Sequence, residues 1–204
     1  GIFLPPDAQT LAKDILMAKS LGFNMLRKHI KVEPQIFYYL CDRLGMFVFQ
    51  DMVNSGKYSF FRDTALPTVG FKKLPDSGVF CRVNEKTRDF FVAHSKGILE
   101  HLKNHPSVVY YTVFNEGWGQ FDCDNVYRTL KAEDPSRVFD ATSGWFFGKE
   151  SDVCSLHVYF KPFKMPHKSK GRPVILSEFG GYALKIDGHA FNPDKEYGYR
   201  HFED

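Results

Sequence analysis

Asn104-His-Pro-Ser-Val-Val-Tyr-Tyr-Thr-Val-Phe-Asn-Glu-Gly-Trp118 is the stretch on which the reading of this chain turns. Its centre, Val108 to Phe114, is β-branched and aromatic without interruption, the composition of a strand buried on both faces. The strand delivers an adjacent amide and carboxyl, Asn115 and Glu116, to its C-terminal end, and Gly117 and Trp118 follow at once. Parallel α/β folds put their chemistry at such strand ends.

Working outward, a second apolar run, Pro173-Val-Ile-Leu-Ser177, ends in the same way at Glu178 and is followed by Phe179-Gly-Gly181. Two carboxyls at two strand ends are the minimum equipment for cleaving a glycoside. The rest of the chain alternates helix and strand. The pattern predicts a helix from Asp7 to Leu21 stopped by Gly22, then a strand over Phe23–Arg27. Glu33-Pro34 opens a second helix ending at Gly45, and Met46–Gln50 is an apolar strand finishing at Asp51. Asn84 caps a long helix to Lys103, and another helix covers Asn125–Glu133. Further strands are expected at Arg137–Asp140, Val153–Val158 and Val174–Ser177, with no helix in the connections 141–152 and 159–172.

Segment 52–83 shows no sustained period. A loop this long in a compact domain is expected to be a lid or an insertion. Its Lys57, Arg62, Lys72 and Lys73 could welcome an acidic sugar, although charged loop residues mostly serve as solvated surface.

Six strands are counted, each with polar or aromatic residues after it: Arg27, Asp51, Asn115-Glu116, the Thr142–Trp145 loop, His157-Val-Tyr159 and Glu178. A closed barrel gathers residues from many strands into one pocket, whereas an open sheet offers a single crevice. The fold class expected is therefore α/β, a (β/α)8 TIM barrel. Six strands do not close it, so one strand should precede Gly1 and another follow Asp204. Residues 1–204 are read as one partial barrel domain with a long loop or lid at 52–83.

Composition narrows the function classes. A net charge of +3 spread over 204 residues does not suggest nucleic acid. No stretch approaches the ~20 apolar residues of a membrane span. Cys41, Cys81, Cys123 and Cys154 lack metal-ligand spacing, and His101 and His105 lack the neighbouring Glu of a zinc-hydrolase helix. No metal or cofactor is expected. No signal peptide is visible, and localisation is left open.

The motifs also carry a resemblance. Leu26-Arg-Lys-His29, Tyr39-Leu-Cys-Asp-Arg-Leu-Gly-Met46, Asn104-His-Pro-Ser107, Phe114-Asn-Glu-Gly-Trp118 and Ser177-Glu-Phe-Gly180, in this order, resemble the catalytic barrel of glycoside hydrolase family 2. That family contains β-galactosidases, β-glucuronidases and β-mannosidases. The resemblance implies a retaining, exo-acting β-glycosidase of terminal β-linked sugars, with accessory β-sandwich domains elsewhere in the full-length protein. An endo-acting glycanase of the same clan and a catalytically silent carbohydrate-binding barrel are the alternatives.

By position, the resemblance makes Glu116 the general acid/base and Glu178 the nucleophile. Asn115 would bond the sugar 2-hydroxyl, Arg27 would hold Glu178 ionised, and Tyr159 or His157 would steady it. Asp51 stands between sugar contact and structural ion pair, and Trp118 and Trp145 are candidate ring platforms. The family's His three residues after the Arg is displaced here to His29, two residues after Arg27, which leaves Lys28 or Lys31 as a stand-in.

Overall fold

A computed structural model describes residues 5–71, 76, 83–159, 162–166, 169, 171–190, 192 and 194–203. Cys81, Lys72 and Lys73 lie outside them. Helix α1 (Ala8–Ser20) begins where Asp7 accepts the Thr10 amide at 2.7 Å, which satisfies one orphan donor of the first turn. Strand β1 (Met25–Lys28) follows. Helix α2 (Gln35–Leu44) ends at Gly45, whose φ of 67° suits a residue without Cβ, and strand β2 (Phe47–Asp51) follows it. Helix α4 (Glu85–Leu102) starts on the Asn84 side chain, which accepts Thr87 N at 2.9 Å.

Strand β3 (Val108–Asn115), helix α5 (Cys123–Glu133) and strands β4 (Val138–Ser143), β5 (Cys154–Val158) and β6 (Val174–Phe179) complete the alternation. Strands β1 to β4 pair in parallel and in sequence order, and β5 pairs with β6. β4 packs beside β5, where Ser155 Oγ donates to Thr142 O at 3.3 Å. Parallel pairing in chain order, with helices between the first four strands, is the expected partial TIM barrel.

Helices cover the outside of this curved sheet. Ile15 of α1, Cys41 of α2, Leu102 of α4 and Leu130 of α5 are all fully buried in one cluster with Val48, Tyr111 and Phe139 of the strands. Each such aliphatic side chain contributes about 1.5–3 kcal/mol relative to leaving it in water. The core thus sits between sheet and helices, which leaves the C-terminal strand ends free for polar groups.

The structure differs from the expectation in four places. β1 begins at Met25, because Phe23 follows the Gly22 turn and is 60% exposed. β4 runs on through Thr142 and Ser143, which pair with Phe114 and Asn115, so these two are strand residues and not loop. Segment 52–83 contains a π-helical turn, Phe60–Ala65, leading into a short helix α3, Leu66–Thr68. Asp63 anchors that turn by accepting Ser59 N at 2.8 Å. Two short parallel strands, β7 (Tyr182–Leu184) and β8 (Arg200–Phe202), pair with each other beyond the six expected. They are too short and too exposed to show a burial period.

Candidate active site

Register decides what meets at the top of the sheet. Leu156 lies opposite Leu176, but His157 lies opposite Glu178, so Ser177 is an extra residue bulging out of β6. A bulge turns the residue after it and frees a backbone group. Here it sets Glu178 beside His157, and the Ser177 carbonyl accepts Arg27 Nη1 at 3.2 Å.

Arg27, at the end of β1, ties three strands together. Its Nε and Nη2 hold the two oxygens of Asp51 at 3.0 and 2.9 Å. Nη2 also gives to Asn115 Oδ1 at 2.8 Å, and Nη1 gives to Glu178 Oε1 at 2.6 Å. Burial works against the charge on Arg27, but Asp51 and then Glu178 outweigh it and raise its pKa. Asp51 shows the reciprocal balance: burial would raise its pKa, while the His29 bond and the Arg27 charge hold it below the usual carboxylate value.

Glu116 stands after β3 with φ of 54°, the left-handed region that costs a side-chain-bearing residue energy. Its amide donates to Ser143 O at 2.9 Å, and its carbonyl accepts Trp145 Nε1 at 2.8 Å. The backbone is thereby clamped, and the side chain turns toward β5. There Glu116 Oε1 meets His157 Nδ1 at 2.8 Å and the Tyr159 hydroxyl at 3.1 Å. The single proton of Tyr159 goes to Glu178 Oε2, the nearer of the two carboxylates. Burial, then the bond to Glu178 and the charges of both carboxylates, raise the Tyr159 pKa, so the phenol stays a donor.

One ligand-type atom each of Glu116, His157 and Glu178 lies within 4.8 Å of the others. Proximity alone would let these three groups approach a cation. Arg27, at 2.6 Å from Glu178, already supplies the positive charge that this carboxylate needs. A cavity of about 940 Å³ opens beside the cluster. Glu116, Trp145 and Tyr159 line it together with Tyr58, Phe60 and Tyr199 from the long segments.

A family model described as "Glycosyl hydrolases family 2, TIM barrel domain" matches residues 6–197. The chain belongs to glycosyl hydrolase family 2. Among solved structures, a β-D-glucuronidase from Dictyoglomus thermophilum is similar at 19% identity and a TM-score of 0.61, over 92% of this chain and 35% of that one. A β-glucuronidase 2 from Bacteroides uniformis, bound covalently to cyclophellitol-6-carboxylate aziridine, is similar at 16% identity and a TM-score of 0.60, over 87% of this chain and 23% of that one. At these identities the likeness is one of fold. The chain thus spans about a quarter to a third of the length of these two solved relatives.

Within this family 2 barrel the residues singled out from sequence fall into two groups. Arg27, Asn115, Glu116, His157, Tyr159 and Glu178 converge in one hydrogen-bonded cluster. Asp51 is 1% exposed with both oxygens on Arg27, so it acts on the site through that guanidinium. Trp145 lines the cavity, whereas Trp118 gives its Nε1 to Gly56 O at 3.2 Å and rests edge-on against Tyr58, bracing the cavity wall. Lys28 and Lys31 both pair with Glu33, at 2.5 and 3.0 Å, away from the carboxylates. His29 is the residue near the centre, 3.3 Å from Asp51 and 3.8 Å from Glu178.

Arg62 is occupied too, beside Asp63 at 3.9 Å and over the Phe146 ring. Three participants lay within stretches noted from the sequence, Thr142–Trp145 and Ser177–Gly180, but were not singled out as residues. Ser143 and Ser177 join their hydroxyls at 3.0 Å behind His157. Gly144 makes room for that ring, since a Cβ there would stand 2.6 Å from His157 Nδ1.

Proposed function

We propose that this chain holds the catalytic centre of a retaining, exo-acting β-glycosidase, with Glu178 as nucleophile and Glu116 as acid/base. The observation that carries the reading is the carboxylate spacing of no more than 4.8 Å between one oxygen of each. Double displacement needs about 5–5.5 Å between carboxyls, whereas inversion leaves roughly 6.5–9.5 Å for a water. A silent carbohydrate-binding barrel would have no use for two carboxylates so close together.

Each role follows from what the side chain touches. Arg27 and Tyr159 both donate to Glu178, which keeps it aimed as it attacks the anomeric carbon. Glu116 gives its proton to the departing oxygen, then takes one from the water that cleaves the glycosyl ester. Asn115 has its Oδ1 on Arg27, so its amide N–H is the end left to hold the sugar 2-hydroxyl. Walls from the 58–69 and 197–199 segments rise beside the cavity beyond the strand ends, which favours a chain end over the interior of a polymer.

The test uses the full-length protein and aryl β-glycosides of several sugars. Glu178→Ala should abolish cleavage, and added azide should restore it with formation of an α-glycosyl azide, the inverted product. Undiminished activity in Glu178→Ala would sink the assignment.

A further inference from the structure

His157 is the group in the cluster whose task the two-carboxylate scheme leaves open. Its side chain is fully buried, at 0% exposure, in a slot that Gly144 keeps clear. Trp145 meets the ring edge-on at 5.6 Å. Nδ1 lies 2.8 Å from Glu116 Oε1, closer than the 3.6 Å that separates Nε2 from Glu178. On the far side Nε2 lies 2.9 Å from Ser143 Oγ, which is itself 3.0 Å from Ser177 Oγ. His157 therefore serves Glu116 first, not the nucleophile.

Ser143 allows the tautomer that suits Glu116. A serine hydroxyl can turn its proton onto a ring nitrogen, and with Nε2 accepting from Ser143 the ring proton sits on Nδ1, where it donates to Glu116 Oε1. Glu116 Oε1 then receives His157 Nδ1–H, while the Tyr159 hydroxyl, 3.1 Å away, has its single proton on Glu178. Among the described residues no hydrogen bond falls on Oε2 of this cavity-lining residue.

We propose that His157 is the positioning residue of the acid step: with its tautomer set by Ser143, it occupies Oε1 and confines the transferable proton of Glu116 to Oε2. The inference rests on Glu116 being the acid/base. In the first half-reaction the Oε2 proton moves to the glycosidic oxygen as its bond to the anomeric carbon breaks and the Glu178 ester forms. In the second, Oε2 takes a proton from water as the water oxygen bonds to that carbon and the ester breaks. His157 ends each step as it began. Without it, the proton could rest on Oε1 and point into the protein, where it serves no leaving group.

The experiment measures kcat/KM of full-length enzyme on β-glycosides of one sugar whose leaving phenols run from very acidic to weakly acidic. Asn sets its amide nitrogen near the position of Nδ1, and Gln near that of Nε2. His157→Asn should therefore stay within about fivefold of wild type across the series, since the donor to Glu116 is kept. His157→Gln and His157→Leu should lose about 100-fold on the poorest leaving groups and less than about threefold on dinitrophenyl glycosides, which need no acid. Uniform losses along the series, or equal behaviour of the Asn and Gln variants, would overturn the proposal.

Should the Leu variant fail to fold, Ser143→Ala keeps the ring and removes the donor to Nε2 together with the contact to Ser177. Its loss should grow several-fold with leaving-group basicity, and a flat response overturns the proposal equally. A wild-type protein that cleaves no β-glycoside would instead defeat the proposed function itself. That result differs from an active enzyme whose His157 variants ignore the leaving group.

Discussion

Arg27 is bound to Glu178 at 2.6 Å across the top of the sheet, although the two are 151 positions apart in the chain. One guanidinium on β1 thereby sets the position of a carboxylate on β6. Its planar fork matters, because the same group also holds both oxygens of Asp51 and the Asn115 amide.

Arg27→Lys should fail on two counts. An ammonium keeps the charge but cannot reach Asp51, Asn115 and Glu178 together, so kcat on aryl β-glycosides should fall by about 100-fold or more. Asp51, 1% exposed, loses a bidentate partner. Losing a hydrogen bond to a buried charged group costs about 1.5–3 kcal/mol, which a urea midpoint would register. A variant with wild-type kcat and midpoint would show that the fork is dispensable.

His29 links stability to pH. Its pKa is raised, chiefly by the bond to Asp51 and against the opposing effect of burial. A group whose folded pKa lies above its unfolded value adds stability that is fully present below the unfolded value, near 6.5, and lost as pH rises through the folded one. The stability difference between wild type and His29→Gln should thus be largest near pH 5.5 and shrink by pH 8.5, as read from urea midpoints. A difference that grows with pH would contradict the pairing. The residue is half exposed, so salt should weaken the effect.

Much of this site was legible because its parts are local. Asn115-Glu116 and Glu178 stood out as polar groups at the ends of apolar runs, and the helix caps Asp7, Asn84 and Gly45 marked the alternation. What stayed hidden depends on pairing between distant segments. The Ser177 bulge is a matter of register, and no composition signals that His157 lands opposite Glu178 and bonds Glu116. Segment 52–83 reads as a lid or an insertion, but that Tyr58 and Phe60 are aromatics it lends to the cavity, and that Tyr199 joins them, was hidden, since nothing in a single segment distinguishes a cavity wall from a packing group. The helical turn at 60–68 is too short for a period to show.

Tyr159 is the remaining link between the two carboxylates, and removing its hydroxyl separates geometry from hydrogen bonding. In Tyr159→Phe the ring should keep its place beside Tyr199, 4.8 Å away, while Glu178 loses one of its two side-chain donors among the described residues. Losing a preorganised donor at a charged reacting group typically costs about 100- to 1,000-fold in rate. The loss should fall on kcat and spare KM, because the hydroxyl proton is spent on Glu178 and not on the substrate. The raised Tyr159 pKa implies that the phenol stays protonated, so wild-type activity should show no alkaline limb from this group below pH 10. Steady-state kinetics of the Phe variant test both statements. A rise in KM at unchanged kcat would mean that Tyr159 binds the sugar directly and that Arg27 alone holds the nucleophile.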